Sequence, residues 1–161
     1  MAEAIFAAGC FWGVEQAFRD TSGVMETAVG YIGGNSEDPT YEEVCTGQTG
    51  HAEAVKVQYD PIEISFEALL NVFWSCHNPT EVDRQGPDVG TQYRSAIFYV
   101  DEDQRAAAET SKLALQSTGQ LKAAIATQIV SAEHFYMAED YHQQYFEKRG
   151  KRPHLFGPWG Q

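Results

Sequence analysis

Cys10 is the residue of this sequence best suited to act as a nucleophile. The apolar stretch 3–8 before it predicts a strand, and the apolar spacing within 12–19 predicts a helix directly after it. A thiol at the start of a helix lies near free backbone N–H groups and the positive end of the helix dipole, and both lower its pKa. We therefore predict a reactive thiolate at a strand-to-helix turn.

Two aromatic residues follow this thiol directly. Phe11 and Trp12 lie between Gly9 and Gly13, and glycines permit a tight backbone that brings large side chains close to a small atom. The arrangement predicts a small apolar pocket around the sulfur of Cys10. The alternative for Cys10 is a small buried side chain that only fills a turn.

Glu53 shares its strand parity with apolar residues. Val55, Val57 and Tyr59 occupy the odd positions of a predicted strand, so Glu53 points to the face that they bury. Burial raises the pKa of a carboxyl, and a carboxyl that stays protonated near neutral pH can act as a general acid. Glu53 is thus a predicted proton donor. The alternative is a glutamate at a strand end that reaches solvent.

The elements that must position these groups follow from apolar periodicity and turn residues. We predict further strands over 25–32, 53–59, 94–100 and 124–130, a helical turn over 41–44, and helices over 66–77, 101–116 and 139–148. Ser65 and Asp101 are predicted helix N-caps. About 15 residues before Tyr93 lack periodicity, and a loop of that length in a compact protein is usually functional.

Strands and helices that alternate in this way predict an α+β fold. We expect a two-layer α/β sandwich with a mixed sheet and split βαβ, or ferredoxin-like, units. The whole sequence, 1–161, is expected to form a single domain, since a chain of 161 residues can bury a core of its own.

Composition excludes several classes of partner. A net charge of −12 repels phosphate backbones, so we expect no nucleic-acid partner. The sequence has no apolar run of about 18 residues and no signal peptide at its start, so we expect no membrane partner. The 3 cysteines form no Cys-x-x-Cys pair and predict neither a metal site nor a disulfide framework, which suits a reducing cytoplasm. We expect a monomer with no bound cofactor.

Three short segments match a known set of motifs in order and spacing. They are Gly9-Cys10-Phe11-Trp12-Gly13, Gly50-His51-Ala52-Glu53 and Asp88-Val89-Gly90-Thr91-Gln92-Tyr93-Arg94-Ser95. On these residues the sequence resembles the class A peptide methionine sulfoxide reductases over nearly its whole length. The resemblance implies repair of oxidised proteins, with peptide-bound methionine sulfoxide as substrate and free methionine sulfoxide as a further one.

The resemblance also implies a reaction. Cys10 would attack the sulfur of the S-epimer of methionine sulfoxide, release methionine and become a sulfenic acid. Phe11 and Trp12 would hold the methyl group of the substrate. Glu53 would protonate the sulfoxide oxygen, which turns a poor leaving oxide into hydroxide or water.

Three further polar residues acquire roles only through this resemblance. Tyr41 and Tyr93 would donate hydrogen bonds to the same sulfoxide oxygen, and Asp88 would belong to the polar network behind them. Taken singly, each of these residues is more typical of a half-buried tyrosine or a turn aspartate.

Recycling of the enzyme departs from the family pattern. Many members carry a recycling cysteine in a Gly-rich C-terminal tail, and this sequence has no cysteine after Cys76. We therefore expect an external thiol reductant, thioredoxin or glutathione with glutaredoxin, to attack the oxidised Cys10 directly. Cys76 flanks the apolar stripe of its helix, so we expect it to be partly exposed and keep it as an alternative resolving thiol. Cys45 is expected to be a buried structural thiol.

Three other interpretations of the sequence stay open. A Cys-His hydrolase would use Cys10 with His51 or His134 as its base, but would leave Glu53 and the tyrosines without a role. A module that only binds methionine-containing peptides would not need the thiol. A metal site of Cys45, His51 and Cys76 would match no known ligand spacing.

Overall fold

A six-stranded sheet forms the centre of the computed structural model, which describes residues 1–150. The strands of the described chain are β1 Ala2–Ala8, β2 Val24–Ile32, β3 Ala52–Tyr59, β4 Arg84–Gln85, β5 Asp88–Val89, β6 Ser95–Tyr99, β7 Gln128–Ser131 and β8 Tyr136–Met137. The helices are α1 Phe11–Arg19, α2 Tyr41–Cys45, α3 Phe66–Ser75, α4 Glu102–Ser117 and α5 Tyr145–Arg149. Two 3₁₀ turns, Thr91–Tyr93 and Asp140–His142, complete them.

The order of strands in the sheet is β7-β6-β1-β3-β2-β8, and the short β4 and β5 form a separate hairpin. Only β6 and β7 pair in parallel; the other pairs are antiparallel. Strands β1 and β2 therefore run in the same direction on either side of β3 and are joined by α1. Strands β3 and β6 flank β1 in the same way and are joined through α3. The predicted α+β fold with a mixed sheet and split βαβ units is confirmed.

The core lies between the sheet and the helices. Alternate residues of β1 divide between the two faces: Phe6 packs on the helix side, while Ile5 and Ala7 belong to a smaller cluster on the other side. The Phe6 ring stacks on Phe18 of α1 at 4.9 Å and on Phe73 of α3 at 5.4 Å between centroids. Complete burial of each such ring contributes about 1.5–3 kcal/mol to the free energy of unfolding.

Both predicted helix N-caps are confirmed. The Ser65 hydroxyl accepts from the Ala68 N–H at 3.0 Å, and the Asp101 carboxylate accepts from the Gln104 N–H at 2.8 Å. A third cap begins α2, where Thr40 and Glu43 form a reciprocal capping box. Each cap satisfies backbone N–H groups that have no partner within the helix.

The predicted helix over 139–148 is wrong. The chain forms the 3₁₀ turn Asp140–His142, leaves it through Gln144 in a left-handed conformation with φ 48°, and only then begins α5. Side chains explain the break. The Gln143 amide bonds to both the N–H and the carbonyl of Val29 at 2.9 Å, in the manner of a strand partner, and the Gln144 N–H donates to Glu15 at 2.7 Å.

Smaller differences concern the end of the sheet and the loop before Tyr93. Strand β7 is Gln128–Ser131, so it begins four residues later and ends one residue later than the predicted strand over 124–130, and the predicted loop contains the hairpin of β4 and β5. Within the described range, no helix has the length and apolar character needed to cross a membrane. The cysteine-free tail beyond Gly150 lies outside the described residues.

Candidate active site

Cys10 lies where β1 ends and α1 begins, at the N-cap of the helix. The backbone N–H groups of Trp12 and Gly13 face its sulfur closely enough to lower the pKa of the thiol. Gly9 turns the chain into this position with φ 96°, and a Cβ there would come within 2.9 Å of the Gln85 side chain. The predicted strand-to-helix turn is confirmed, and it places a half-buried thiol at the first turn of α1.

Glu53 faces the same helix start from β3. Its side chain is 1% exposed, and Oε1 accepts from the Phe11 N–H at 3.2 Å. The other oxygen, Oε2, is buried without a hydrogen-bond partner among the described residues. Burial raises the pKa of this carboxyl to about 8, although the Phe11 N–H opposes the shift. Strand parity therefore predicted the direction of Glu53 and its protonation correctly.

The pKa of Cys10 differs from the sequence prediction. Burial, then the negative charges of Glu53 and Asp88, raise it to about 12, while the N–H groups of Trp12 and Gly13 lower it only in part. The expected lowering is wrong because desolvation of the thiolate outweighs the helix terminus. Protonation of Glu53 removes one of the raising charges, so the pKa of Cys10 depends on whether Glu53 carries its proton.

The two tyrosines lie around the same carboxyl. Tyr41 is the first residue of α2, and Tyr93 ends the 3₁₀ turn Thr91–Tyr93. The pKa of each hydroxyl is raised first by burial, and the charge of Glu53 adds to the shift. The Tyr41 hydroxyl also contacts the sulfur of Cys45. Both phenols are thus protonated donors at neutral pH.

Asp88 approaches from the hairpin. It begins β5, and burial raises the pKa of its carboxyl. Its charge acts on Cys10, Glu53 and Tyr93. The structure therefore brings together all five polar residues selected from the sequence: Cys10, Tyr41, Glu53, Asp88 and Tyr93.

The aromatic residues after Cys10 take different positions. Phe11 is 1% exposed and contacts Tyr31 at 5.8 Å between ring centroids. Trp12 is half-buried and stacks on Tyr145 at 3.8 Å with planes only 6° apart. Trp12 thus stays partly exposed beside Cys10, whereas Phe11 belongs to the hydrophobic core.

Sequence reasoning missed a further group of residues around the site, which we call the aromatic layer. It consists of Tyr31, Glu139, His142 and Tyr145. Glu139 accepts from the Tyr31 hydroxyl at 2.8 Å and from the Tyr41 N–H at 2.9 Å. The dense aromatic stretch 141–146 was the only signal in the sequence. A helical interpretation of 139–148 concealed it, because a helix would have spread these side chains around its axis.

The exposure of the other two cysteines is the reverse of the sequence prediction. Cys45, predicted to be buried, is exposed at the end of α2, and Cys76, predicted to be partly exposed, is 7% exposed. The Cys76 thiol bonds to the Phe73 carbonyl at 3.3 Å, because it caps the end of α3 and turns back onto that helix. Cys45 lies beside Tyr41 because positions i and i+4 of a helix share a face.

The structure gives no support to a histidine base or to the metal site. The ring nitrogens of His51 bond to the Gly34 N–H at 3.0 Å and the Ser36 carbonyl at 2.8 Å, so both are engaged by the backbone. His134 packs on Tyr136. Across residues 1–150, no group of three or more His, Cys, Asp or Glu side chains could hold a metal ion.

Fold and site together define an α+β protein in which a half-buried cysteine, a protonated carboxyl and two phenols lie together, next to two aromatic residues. Residues 2–156 match the family described as peptide methionine sulfoxide reductase. The chain belongs to this family, and its activity is the reduction of methionine sulfoxide in peptides.

Individual relatives agree in sequence and fold. A peptide methionine sulfoxide reductase MsrA from Methanosarcina acetivorans is 62% identical over 92% of this chain and 79% of its own. The reduced form of Mxr1 from Saccharomyces cerevisiae is 34% identical, with a TM-score of 0.87 over 95% of this chain and 88% of its own. Mxr1 in complex with Trx2 shares the fold at a TM-score of 0.63 and 24% identity, covering 89% and 84% of the two chains.

Proposed function

We propose that Cys10 reduces the S-epimer of methionine sulfoxide and that Glu53 supplies the proton for the departing oxygen. One observation carries this proposal: Glu53 Oε2, buried without a partner, lies in a carboxyl whose other oxygen is bonded to the residue after Cys10. A buried donor without a partner is costly. A sulfoxide oxygen is an acceptor that would satisfy it.

The reaction balances as a two-electron exchange between two sulfurs. The Cys10 sulfur bonds to the sulfoxide sulfur, and the S–O bond breaks as the oxygen takes the proton of the Cys10 thiol and that of Glu53 and leaves as water. Water then adds to the Cys10 sulfur, methionine leaves, Cys10 becomes a sulfenic acid, and the proton released from that water returns to Glu53. One sulfur loses two electrons and the other gains them, so no metal or redox cofactor is needed.

The tyrosines and Asp88 would stabilise the developing charge on oxygen. Tyr41 and Tyr93 keep their protons because their pKa values are raised, and a preorganised donor directed at developing charge commonly contributes most to such catalysis. Tyr41 would exchange its contact with Cys45 for the substrate oxygen. Asp88 would hold the polar network behind them, while Phe11 and Trp12 contact the substrate methyl group.

We propose that an external thiol regenerates Cys10 directly. Thioredoxin is supported by the Trx2 complex of Mxr1, and glutathione with glutaredoxin is the alternative reductant. Attack from solution requires access, and the half-buried sulfur at the start of α1 satisfies this. Cys76 is buried against Phe73, which disfavours it as an internal resolving thiol.

The cellular setting follows from the same chemistry. Proteins and peptides carrying methionine sulfoxide are the proposed partners, so the enzyme repairs oxidised proteins under oxidative stress. All 3 cysteines are free, which suits a reducing cytoplasm. We also propose that residues 1–161 form one domain, that the enzyme acts as a monomer, and that it binds neither nucleic acid nor membranes.

Replacing the nucleophile tests the proposal. We expect Cys10→Ser to abolish reduction of the S-epimer, because a serine hydroxyl is a far weaker nucleophile than a thiol and cannot be oxidised to a sulfenic acid. Methionine release should be measured by chromatography, with Cys76→Ser as a matched control that removes a buried thiol. Activity of Cys10→Ser within roughly tenfold of the unchanged protein would exclude Cys10 as the nucleophile.

A further inference from the structure

His142 is buried at the centre of the aromatic layer and has no part in the chemistry proposed above. It ends the 3₁₀ turn Asp140–His142 and is 0% exposed. Its ring lies 4.4 Å from Tyr41, 5.1 Å from Phe11 and 5.7 Å from Trp12 between centroids. It therefore contacts three residues that line the site, each from a different direction.

The hydrogen bonds of His142 fix its tautomer. Its Nδ1 lies 2.8 Å from Trp12 Nε1. An indole N–H can only donate, so Nδ1 must carry the lone pair and Nε2 the proton of the neutral ring. Nε2 has no hydrogen-bond partner in the described chain, and Glu139 Oε1 lies 4.0 Å away.

The surroundings of His142 keep the ring neutral. Burial lowers its pKa most, Glu139 acts in the opposite direction, and Arg149 of α5 lowers the pKa further. The hydroxyl groups of Tyr41 and Tyr141 belong to rings that pack against it. Protonation would place a hydrogen on Nδ1 and break the bond to Trp12, so only neutral His142 can hold the indole.

We propose that neutral His142 is a positioning residue, which fixes the indole of Trp12 as one wall of the substrate pocket by accepting its N–H. Glu139, at the start of this turn, also holds Tyr41, because it accepts from the Tyr41 N–H at 2.9 Å. One short segment thus sets both Trp12 and Tyr41. This inference rests on the proposed function, in which Trp12 contacts the substrate methyl group.

Two substitutions distinguish the effect of the hydrogen-bond acceptor of His142 from the effect of its aromatic ring. His142→Phe keeps an aromatic ring among Phe11, Trp12 and Tyr41 but removes the acceptor, whereas His142→Asn places an amide oxygen near the position of Nδ1. We expect His142→Phe to raise KM roughly fivefold, as expected for a lost hydrogen bond, with a smaller change in kcat. His142→Asn should restore most of the loss in KM. Equal KM values for the two variants would overturn the proposal.

A double substitution tests whether His142 acts through Trp12. Trp12→Phe removes the donor, so adding His142→Phe to Trp12→Phe should change KM no further. Fully additive effects would mean that His142 acts elsewhere, and the proposal would be wrong.

A measurement without substrate keeps this inference separate from the proposed function. The indole ¹H–¹⁵N resonance of Trp12, assigned with Trp12→Phe, should lie downfield in the unchanged protein and in His142→Asn. It should move upfield in His142→Phe. A resonance unchanged by His142→Phe would overturn the hydrogen bond itself, whatever the reaction at Cys10. If the resonance moves while Trp12→Phe leaves KM unchanged, the positioning role is overturned but the chemistry at Cys10 is not.

Discussion

Glu53 and Cys10 face each other at the start of α1, and the charge of Glu53 raises the pKa of Cys10. Glu53 is the group that burial keeps protonated, with a pKa of about 8, and the thiol of Cys10 has a pKa of about 12. At neutral pH the site therefore holds a proton on each group. The acid is in its active form, and the thiol must give up its proton as it attacks.

Removing the proton of Glu53 should slow the chemical step. Glu53→Gln retains an oxygen that can accept from the Phe11 N–H but cannot donate an acidic proton. We expect the single-turnover rate of methionine release to fall by roughly 10²-fold, the usual contribution of a positioned acid. Rapid-quench measurement checks this, with circular dichroism as a control for folding. A rate equal to that of the unchanged protein would exclude proton donation by Glu53.

The pH dependence of the rate, compared between the unchanged protein and Glu53→Gln, tests which form of Glu53 is active. The acid form of Glu53 is lost as pH rises through its pKa of about 8. The ratio of the unchanged protein's rate to that of Glu53→Gln should be constant below this pH. Above it the ratio should fall by up to roughly tenfold per pH unit. A constant ratio throughout would show that the proton of Glu53 is not used.

The remaining cysteines predict how the enzyme is recycled. With glutathione and glutaredoxin, we expect both Cys45→Ser and Cys76→Ser to sustain multiple turnovers, because an external thiol attacks Cys10 directly. Cys45→Ser is the stricter test of the two, because Cys45 is exposed and contacts Tyr41 at the site. A single stoichiometric burst of methionine from either variant, without further turnover, would identify that cysteine as the resolving thiol.

At the scale of elements, the short helix α2 positions Tyr41, which is its first residue. A helix of 5 residues has little stability of its own, so its capping box of Thr40 and Glu43 matters more than in a long helix. The Glu43 N–H donates to Thr40 at 3.2 Å, and the Thr40 N–H donates to Glu43 at 2.9 Å. The cap thus stabilises the element that carries one of the two phenols.

Two cap substitutions should distinguish stability from function. Thr40→Ala and Ser65→Ala each remove a side-chain N-cap, and each should lower the free energy of unfolding by about 1 kcal/mol. Only Thr40→Ala should also lower kcat, because Ser65 caps α3 away from the polar residues of the site. Urea denaturation and steady-state kinetics measure both quantities. An equal loss of kcat in the two variants would show that the effect is one of general stability.

The elements were predictable wherever a periodic pattern matched a simple cap. Ser65 and Asp101 show this, and so does the parity that turned Glu53 inward. The turn Asp140–His142 was not predictable, because its conformation depends on Gln143 and Gln144 bonding to Val29 and Glu15, more than a hundred residues earlier in the chain. Local spacing carries no information on such contacts.

At the scale of the whole molecule, the ferredoxin-like order of strands brings the site together. Strands β1 and β3 are antiparallel neighbours, so Cys10, after the end of β1, and Glu53, near the start of β3, lie at the same end of the sheet. The alternation of strands and helices predicted this fold; the three motifs contain four of its polar residues, and the family resemblance added Tyr41. The exposure of Cys45 and Cys76 could not be read from the sequence, because it depends on how helix ends pack.

The central claim is that Cys10 is oxidised to a sulfenic acid as the substrate loses its oxygen. Mass spectrometry of the protein after one equivalent of S-epimer sulfoxide, without reductant, tests it most directly. We predict one methionine released per chain, the mass of one added oxygen on the peptide containing Cys10, and no change with the R-epimer. Stoichiometric release of methionine while Cys10 stays a free thiol would contradict the account.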